Sequence, residues 1–316
     1  MFAGLSLGVA GCVRSDDGLA LQRFNNPFDR SGDPLLEAYL AAKGAAQALF
    51  HQLTLKRPDG RAIAVRLVSP ANSDNALGLL LFVGDGGYEP ATLDPIIGPL
   101  AAQGWLVAIP KLSASAFGTE IGANEALIDL RVTLDSRDRL MEAGGPMAVR
   151  LSRDLVAIGG VGKGGEIALA MAGALLPGGR SARDGRIRAV FTVNTPRALI
   201  VNTPAQARAL VVPNLTITGG GGVVNLTPFA ASAEGSATAL TLKTPDQSFG
   251  GLIEPAAQRP VRGRVRQFEA LQATVATIGL FLDWNVRQRA DSAAALKAAN
   301  GRVLPGLASP LEFQFR

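Results

Sequence analysis

Cysteine and histidine are almost absent from this chain of 316 residues, which contains one of each. A single cysteine cannot form a disulfide within the chain, and one Cys with one His is too few for a zinc site. Histidine is also the side chain that titrates near neutral pH without special tuning. We therefore expect neither a metal nor a cofactor, and most ordinary acid–base catalysis is removed.

Long apolar runs are missing too, since no stretch beyond the N-terminus approaches the ~20 apolar residues of a membrane span. The sequence is 47% hydrophobic and 18% charged, which suits one large globular domain. Lys and Arg (31) exceed Asp and Glu (26), but the densest basic cluster, Arg259–Arg266, contains no aromatic residue. We therefore predict no nucleic-acid partner.

The N-terminus gives the lone cysteine a role. Phe2–Gly11 is short and apolar, and Val9-Ala10-Gly11-Cys12 resembles the lipobox at which bacterial lipoprotein signals are cut and the cysteine is acylated. This predicts a signal peptide over 1–12, a lipid on Cys12, a polar tether over 13–34, and a periplasmic or extracellular domain anchored to a bacterial envelope membrane. No Lys or Arg precedes the apolar run, so an N-terminal tail with an incidental cysteine is the alternative.

The region 35–316 is predicted to form one α/β domain with a mostly parallel central sheet, helices on both faces and an opening β-hairpin. A helix over 35–49 precedes the hairpin strands 52–56 and 62–68, which the turn 57–60 joins. Apolar runs without alternation then indicate parallel strands buried on both faces. Those strands are 77–83, 105–109, 155–159, 187–193, 214–218 and 239–243, and the helices between and after them are 96–103, 124–143, 166–176 and 265–289.

This order of elements resembles the α/β-hydrolase family over about 52–313, and the stretch 281–313 resembles dienelactone-hydrolase-like members. In that family a strand–turn–helix of the form G-x-S-x-G, the nucleophile elbow, carries the catalytic serine. The matching residues are Gly160-Val161-Gly162-Lys163-Gly164, so the nucleophile position is Gly162, which has no side chain. Glycine readily adopts the positive φ of the elbow, and we expect the turn itself to survive.

The resemblance implies that the other two members of the triad are also lost. The aspartate position falls on Gly222, after the strand 214–218, and the histidine position falls on Gln247. Glutamine forms hydrogen bonds but cannot carry a proton to a leaving group. His51, placed just ahead of the first hairpin strand, lies far in topology from this site. We therefore predict a catalytically inactive α/β-hydrolase-fold lipoprotein that acts as a binding or structural subunit.

The loop after the first buried strand is the second feature of the predicted cleft. In the family it supplies one backbone N–H of the oxyanion hole, and its Gly-Asp-Gly-Gly-aromatic form resembles a proteobacterial virulence-associated group that cleaves aminoacylated phospholipids. The resemblance implies a small acyl or lipid ligand, although the glycines can equally serve a tight turn. The predicted cleft residues are Gly84, Asp85, Gly86, Gly87, Tyr88, Val161, Gly162, Lys163 and Gln247.

Three alternatives remain at the level of sequence. The protein can serve as part of a larger envelope assembly, with its cleft idle. A hydrolase of ester, acyl or lipid substrates can use a non-standard site, for which the candidate side chains are Asp85, Ser113, Ser115, Asp246 and Ser248. Finally, Gly160, Gly162 and Gly165 fit the G-x-G-x-x-G pattern of nucleotide binding, but they follow a middle strand, and the next strand ends in Asn194 without an acid.

Overall fold

A sheet of nine strands forms the centre of the protein. The strands are β1 (Ala48–Lys56), β2 (Ala62–Pro70), β3 (Leu77–Val83), β4 (Trp105–Pro110), β5 (Leu151–Val161), β6 (Ala189–Val193), β7 (Asn214–Gly219), β8 (Ala237–Leu242) and β9 (Glu312–Phe315). Their order is β1-β2-β4-β3-β5-β6-β7-β8-β9. Strands β3 to β8 are parallel, and β1, β2 and β9 are antiparallel to their neighbours. The predicted sheet and opening hairpin are confirmed, and β9 was not predicted.

The structure, a computed structural model, describes residues 48–73, 75–85, 89–196, 200–219, 226–232, 235–242, 261–302 and 311–316. The predicted signal peptide, Cys12 and the tether lie outside these ranges. The predicted helix over 35–49 lies outside them up to residue 47. Its last two residues belong to β1, so the predicted helix end at Leu49 is wrong. Exposed and less exposed residues alternate along most of β1, which is the two-residue period of a strand and not the period of a helix.

Eight α-helices are described. They are α1 (Asp94–Ala102), α2 (Glu120–Asp135), α3 (Arg137–Ala143), α4 (Gly164–Ala172), α5 (Pro204–Ala207), α6 (Thr227–Ala231), α7 (Val261–Asn285) and α8 (Ala290–Ala298). The predicted helix 124–143 is in fact two helices that meet at Ser136, and the predicted terminal helix ends at Asn285 instead of Arg289. Among the described helices, none is long and apolar enough to cross a membrane.

The helices cover both faces of the sheet, as predicted. One apolar layer joins α1, α7 and α8, through Ile97, Phe281 and Leu296, to sheet residues such as Phe191. The other joins α2, α3 and α4 to the opposite face, where Val190 points. Val190 and Phe191 are neighbours in β6 that face opposite ways, as the strand period requires. The central strands are therefore buried on both faces, which explains their continuous apolar runs.

An ion-pair cluster fastens the hairpin turn between β1 and β2 to α2. Arg57 donates to Glu125 at 2.5 Å, and Arg61 donates to Asp129 at 2.7 Å. Asp129 is buried, and this burial raises the pKa of its carboxyl group, while the charges of Arg61 and Arg57 act in the opposite direction. The cluster holds the outer hairpin against the helix layer.

Arg287 joins the end of α7 to the start of β4. Its guanidinium donates to the carbonyl oxygens of Gln103 at 2.9 Å and Gly104 at 2.8 Å, and it lies 4.6 Å from the ring centroid of Trp105. It also pairs with Asp283 at 2.6 Å. Burial lowers the pKa of Arg287, and the charge of Asp283 opposes that shift. The planar guanidinium matches this set of partners in a way that an ammonium group cannot.

We expect Arg287→Ala to lower the free energy of unfolding by about 3 kcal/mol, because it removes the guanidinium partner of Asp283 and the side-chain donor to the carbonyl of Gln103, while the carbonyl of Gly104 keeps the N–H of Gly78. Arg289→Ala is the matched control, since Arg289 contacts the same carboxylate at 3.4 Å but its side chain is 49% exposed. That control should cost at most about 1 kcal/mol. Denaturant unfolding measures both, and equal losses would contradict the structural role of Arg287.

Candidate functional site

The turn between β5 and α4 has the backbone that the sequence predicts. β5 ends at Val161, Gly162 has φ +54°, and α4 begins at Gly164. The N–H of Gly162 donates to the carbonyl of Val193 at 3.0 Å, which ties the turn to the neighbouring strand β6. Lys163 is exposed at the start of the helix. The positive φ confirms the expected elbow geometry at a glycine.

Close packing explains the other glycines of this turn. A Cβ atom on Gly164 would lie 2.5 Å from the carbonyl oxygen of Val83, and one on Gly160 would lie 2.5 Å from the carbonyl oxygen of Gly164. A Cβ atom on Gly165 would overlap the side chain of Thr195, which is 98% buried. The glycines are therefore required by contacts within the protein itself, without any phosphate group.

Asp85 lies against the nucleophile position. It follows the end of β3, and a Cβ atom on Gly162 would overlap its carboxylate, with the Asp85 Cγ atom 2.5 Å away. The backbone N–H of Lys163 donates to Asp85 Oδ1 at 3.3 Å, a long hydrogen bond. In active members of this fold, the N–H of the residue after the nucleophile helps to form the oxyanion hole. One carboxylate thus occupies the space that a side chain at position 162 would need, and it also accepts a hydrogen bond from this backbone donor.

Asn194 is a residue at this edge that the sequence reasoning considered only as a missing acid. It follows β6 with φ +49°, and its side-chain Oδ1 accepts a hydrogen bond from the N–H of Gly219 at 2.5 Å. Its side chain therefore links the ends of β6 and β7, directly before the segment that contains Gly222. Asparagine tolerates the left-handed region better than most residues. An asparagine directly after a buried strand was therefore the sequence signal for a turn at this position.

The predicted site residues fall into three groups. Gly84, Asp85, Gly162 and Lys163 meet at the carboxyl edge of the sheet, as the contacts above show. Val161 is fully buried in the core layer of α1 and α7. Seven other predicted positions lie outside the described residues: Gly86, Gly87, Tyr88, Gly222, Asp246, Gln247 and Ser248. The side chain of Ser115 is also not among those described.

His51 lies within β1 instead of ahead of the first strand, because the strand begins earlier than predicted. Its Nε2 atom is 3.3 Å from the hydroxyl oxygen of Ser69 in β2. β1 is four strand positions from β5 in the sheet, so His51 is remote from the elbow, as expected. Ser113 is exposed beyond β4. Within the described ranges, no group of three or more His, Cys, Asp or Glu side chains is placed to hold a metal ion.

The strand order, the sharp turn from the central strand β5 into α4 and the helix layers define an α/β-hydrolase fold. No model of a protein family matches the chain, and no curated protein is similar to it in sequence. Among solved structures, the chain is similar to a protein of Klebsiella pneumoniae subsp. pneumoniae MGH 78578 that is provisionally described as a dienelactone hydrolase. The two share 15% identity with a TM-score of 0.49, over 72% of this chain and 98% of the other.

We expect Gly162→Ala to lower the free energy of unfolding by about 2 to 4 kcal/mol, from left-handed strain together with overlap of Asp85. In an Asp85→Ala background the overlap is relieved, and a cost of about 1 to 2 kcal/mol should remain from strain alone. Gly164→Ala is the control, because its overlap is with the backbone of β3 and should be the same in both backgrounds. Denaturant unfolding of this double-mutant cycle measures the coupling, and strictly additive losses would contradict the Asp85–Gly162 contact.

Proposed function

We propose that this protein is a catalytically inactive α/β-hydrolase-fold lipoprotein of the bacterial envelope that acts as a binding or structural subunit. One observation carries the proposal: the Asp85 carboxylate lies where the side chain of a nucleophile at position 162 would be. A glycine at that position supplies no attacking atom. The neighbouring carboxylate also leaves no room for the acyl carbon that such an atom would attack.

The geometry also argues against the residual catalysis that such sites keep. Enzymes deprived of their triad retain about 10³–10⁴-fold acceleration from the oxyanion hole and from binding. Here the elbow N–H of Lys163 already donates to Asp85. A developing oxyanion would compete for this donor with a carboxylate that is part of the chain and would also be repelled by its charge. We therefore expect turnover at the level of buffer.

The proposed setting rests on the lipobox-like Val9–Cys12 and the polar tether that follows it. A lipid on Cys12 would hold the domain near an envelope membrane, where acyl or lipid ligands and other envelope proteins are the available partners. If the protein is a binding subunit, the ligand would contact the carboxyl edge of the sheet around Gly84 and Gly162. In the structural version the cleft is idle, and the outer surface contacts an envelope assembly.

A second candidate function is supported by the same carboxylate. A carboxylate held at the position of a nucleophile, beside a backbone donor, can itself attack or act as a base, as aspartate and glutamate do in other enzymes. This version would be an ester or acyl hydrolase with Asp85 as the reactive group. Nucleotide binding has less support, because contacts within the elbow account for the glycines of its motif.

An assay of ester hydrolysis separates these functions. The full chain, purified in detergent, is tested with short and long acyl chromogenic esters and a fluorophosphonate probe. The native protein and Asp85→Asn should both be inert and unlabelled. The quadruple variant Gly162→Ser, Asp85→Ala, Gly222→Asp, Gln247→His should gain labelling, because removal of the Asp85 carboxylate makes room for the serine. Native turnover that Asp85→Asn abolishes would overturn the proposal and establish the second candidate.

The anchor has a separate test, since Cys12 is the only cysteine of the chain. We expect a clickable fatty acid fed to expressing bacteria to label the native protein and to place it in the membrane fraction. Cys12→Ser should lose the label and leave that fraction. Gly4→Ser, within the apolar run, serves as the control and should keep both. A native protein that is unlabelled would refute the lipoprotein prediction. It would not affect the proposal that the elbow at Gly162 is catalytically inactive.

A further inference from the structure

The amino end of the sheet, where the parallel strands begin, is the end at which the N-terminal segment joins the domain. β1 is antiparallel to β2, and β2 is antiparallel to β4, so β1 runs in the same direction as the parallel strands. Its first residue, Ala48, therefore lies at the amino end, and the elbow lies at the other. Residues 1–47 enter the domain at Ala48. A lipid on Cys12 would thus attach the domain to a membrane by its amino end.

Arginines without an ion-pair partner lie at the same end. Arg153 is in the first part of β5, where the pairing with β3 shifts register, and Arg188 directly precedes β6. Both side chains are exposed, and neither forms an ion pair among the described residues. The same holds for Arg183 and Arg208, in the segments that lead to β6 and β7. Four guanidinium groups are therefore available to an external anion.

Acidic residues at this end are too few to balance the arginines. The segments 151–154, 177–188 and 208–213, which open or precede β5, β6 and β7, contain six arginines but only two acids, Asp154 and Asp184. Asp184 pairs with Arg186 at 2.7 Å, and this hydrogen bond lowers the pKa of its carboxyl group. Asp154 is exposed beside Arg153. Positive charge thus remains in excess where these strands begin.

Exposed apolar side chains accompany these charges. Val149, in the short 3₁₀ helix Pro146–Arg150 before β5, is 68% exposed, and Leu49, the second residue of β1, is 39% exposed. Their segments are neighbours, because a Cβ atom on Gly145 would lie 3.7 Å from the ring of His51. Leu49 and His51 face the same side of β1. Apolar side chains beside basic ones are typical of surfaces that lie on anionic bilayers.

We propose that the amino end of the sheet is a membrane-contacting surface, which binds anionic phospholipid headgroups through Arg153 and Arg188 and places Val149 and Leu49 in the bilayer interface. The biological setting rests on the proposed envelope lipoprotein, but the surface itself does not require acylation. A basic residue near an anionic bilayer strengthens binding about fivefold. The carboxyl edge with the elbow then faces away from the membrane, towards ligands or partners in the aqueous compartment.

Vesicle sedimentation tests the arginines in the full chain with Cys12→Ser, so that no acyl chain contributes. This protein should bind vesicles of phosphatidylglycerol and phosphatidylethanolamine but not vesicles of phosphatidylcholine. Adding Arg153→Glu and Arg188→Glu should weaken binding at least about tenfold. The native Tm should be kept, since neither arginine forms an ion pair within the described ranges. Lys56→Glu with Lys111→Glu is the matched control, because it changes the charge equally at the carboxyl end, and it should bind normally.

Insertion of the apolar side chains is measured separately, with tryptophan as a reporter. The emission of Val149→Trp should shift to the blue when the anionic vesicles are added, after subtraction of the spectrum from Trp105 and Trp284. Ile121→Trp is the control and should show no shift. Ile121 is 78% exposed, but it lies at the start of α2, four residues before Glu125, which pairs with the hairpin turn at the carboxyl end.

The two measurements together decide the proposal. Weaker vesicle binding in the arginine variant alone, with a blue shift confined to Val149→Trp, supports it. Equal weakening in both double variants, or no shift at Val149, overturns it. An arginine variant that loses binding to a DNA duplex but keeps vesicle binding would assign the surface to nucleic acid and also overturn it. Failure of the fatty-acid labelling would refute acylation of Cys12 without changing these results, and absence of vesicle binding would refute the surface without changing the labelling.

Discussion

The close approach of the β5–α4 turn to the end of β3 is the contact on which the candidate site depends. The two strands are parallel neighbours, with Val83 opposite Gly160, so their carboxyl ends must meet at one edge of the sheet. The first residue of α4, Gly164, lies against the carbonyl groups of Val83 and Gly84 with no room for a side chain. This packing brings the residue after Gly84 to the elbow. The position of Asp85 is therefore a consequence of how the strands and the turn fit together.

The same packing explains how the fold tolerates a glycine at the nucleophile position. Protein interiors leave few voids, and a missing side chain at a crowded turn leaves a volume whose lining atoms lose contacts. Here the Asp85 carboxylate occupies that volume and accepts a hydrogen bond from Lys163. Glycine also adopts φ +54° without the penalty that an L side chain has there. The turn thus keeps its geometry without a side chain at position 162.

The sequence predicts those parts of the structure that depend on local pattern. β3 is predicted to the residue, because a strand buried on both faces forms an uninterrupted apolar run. The elbow is predicted because Gly160–Gly164 match the strand–turn–helix pattern of the family that the sequence resembles. The break at Ser136 is not, since both flanking segments have helical patterns, and β9 is too short for a period to be visible. The hydrogen bond from Lys163 to Asp85 joins residues 78 positions apart, so only the assembled sheet reveals it.

The donors of a catalytic oxyanion hole form their strongest hydrogen bonds only when negative charge develops on the substrate oxygen in the transition state. The elbow described here is different in kind, because its donor already has a charged partner from the same chain. An apolar residue at position 85 would leave the positive end of α4 without that charge and the N–H of Lys163 without this acceptor. The Asp85 carboxylate therefore supplies the negative charge that the N-terminus of α4 favours.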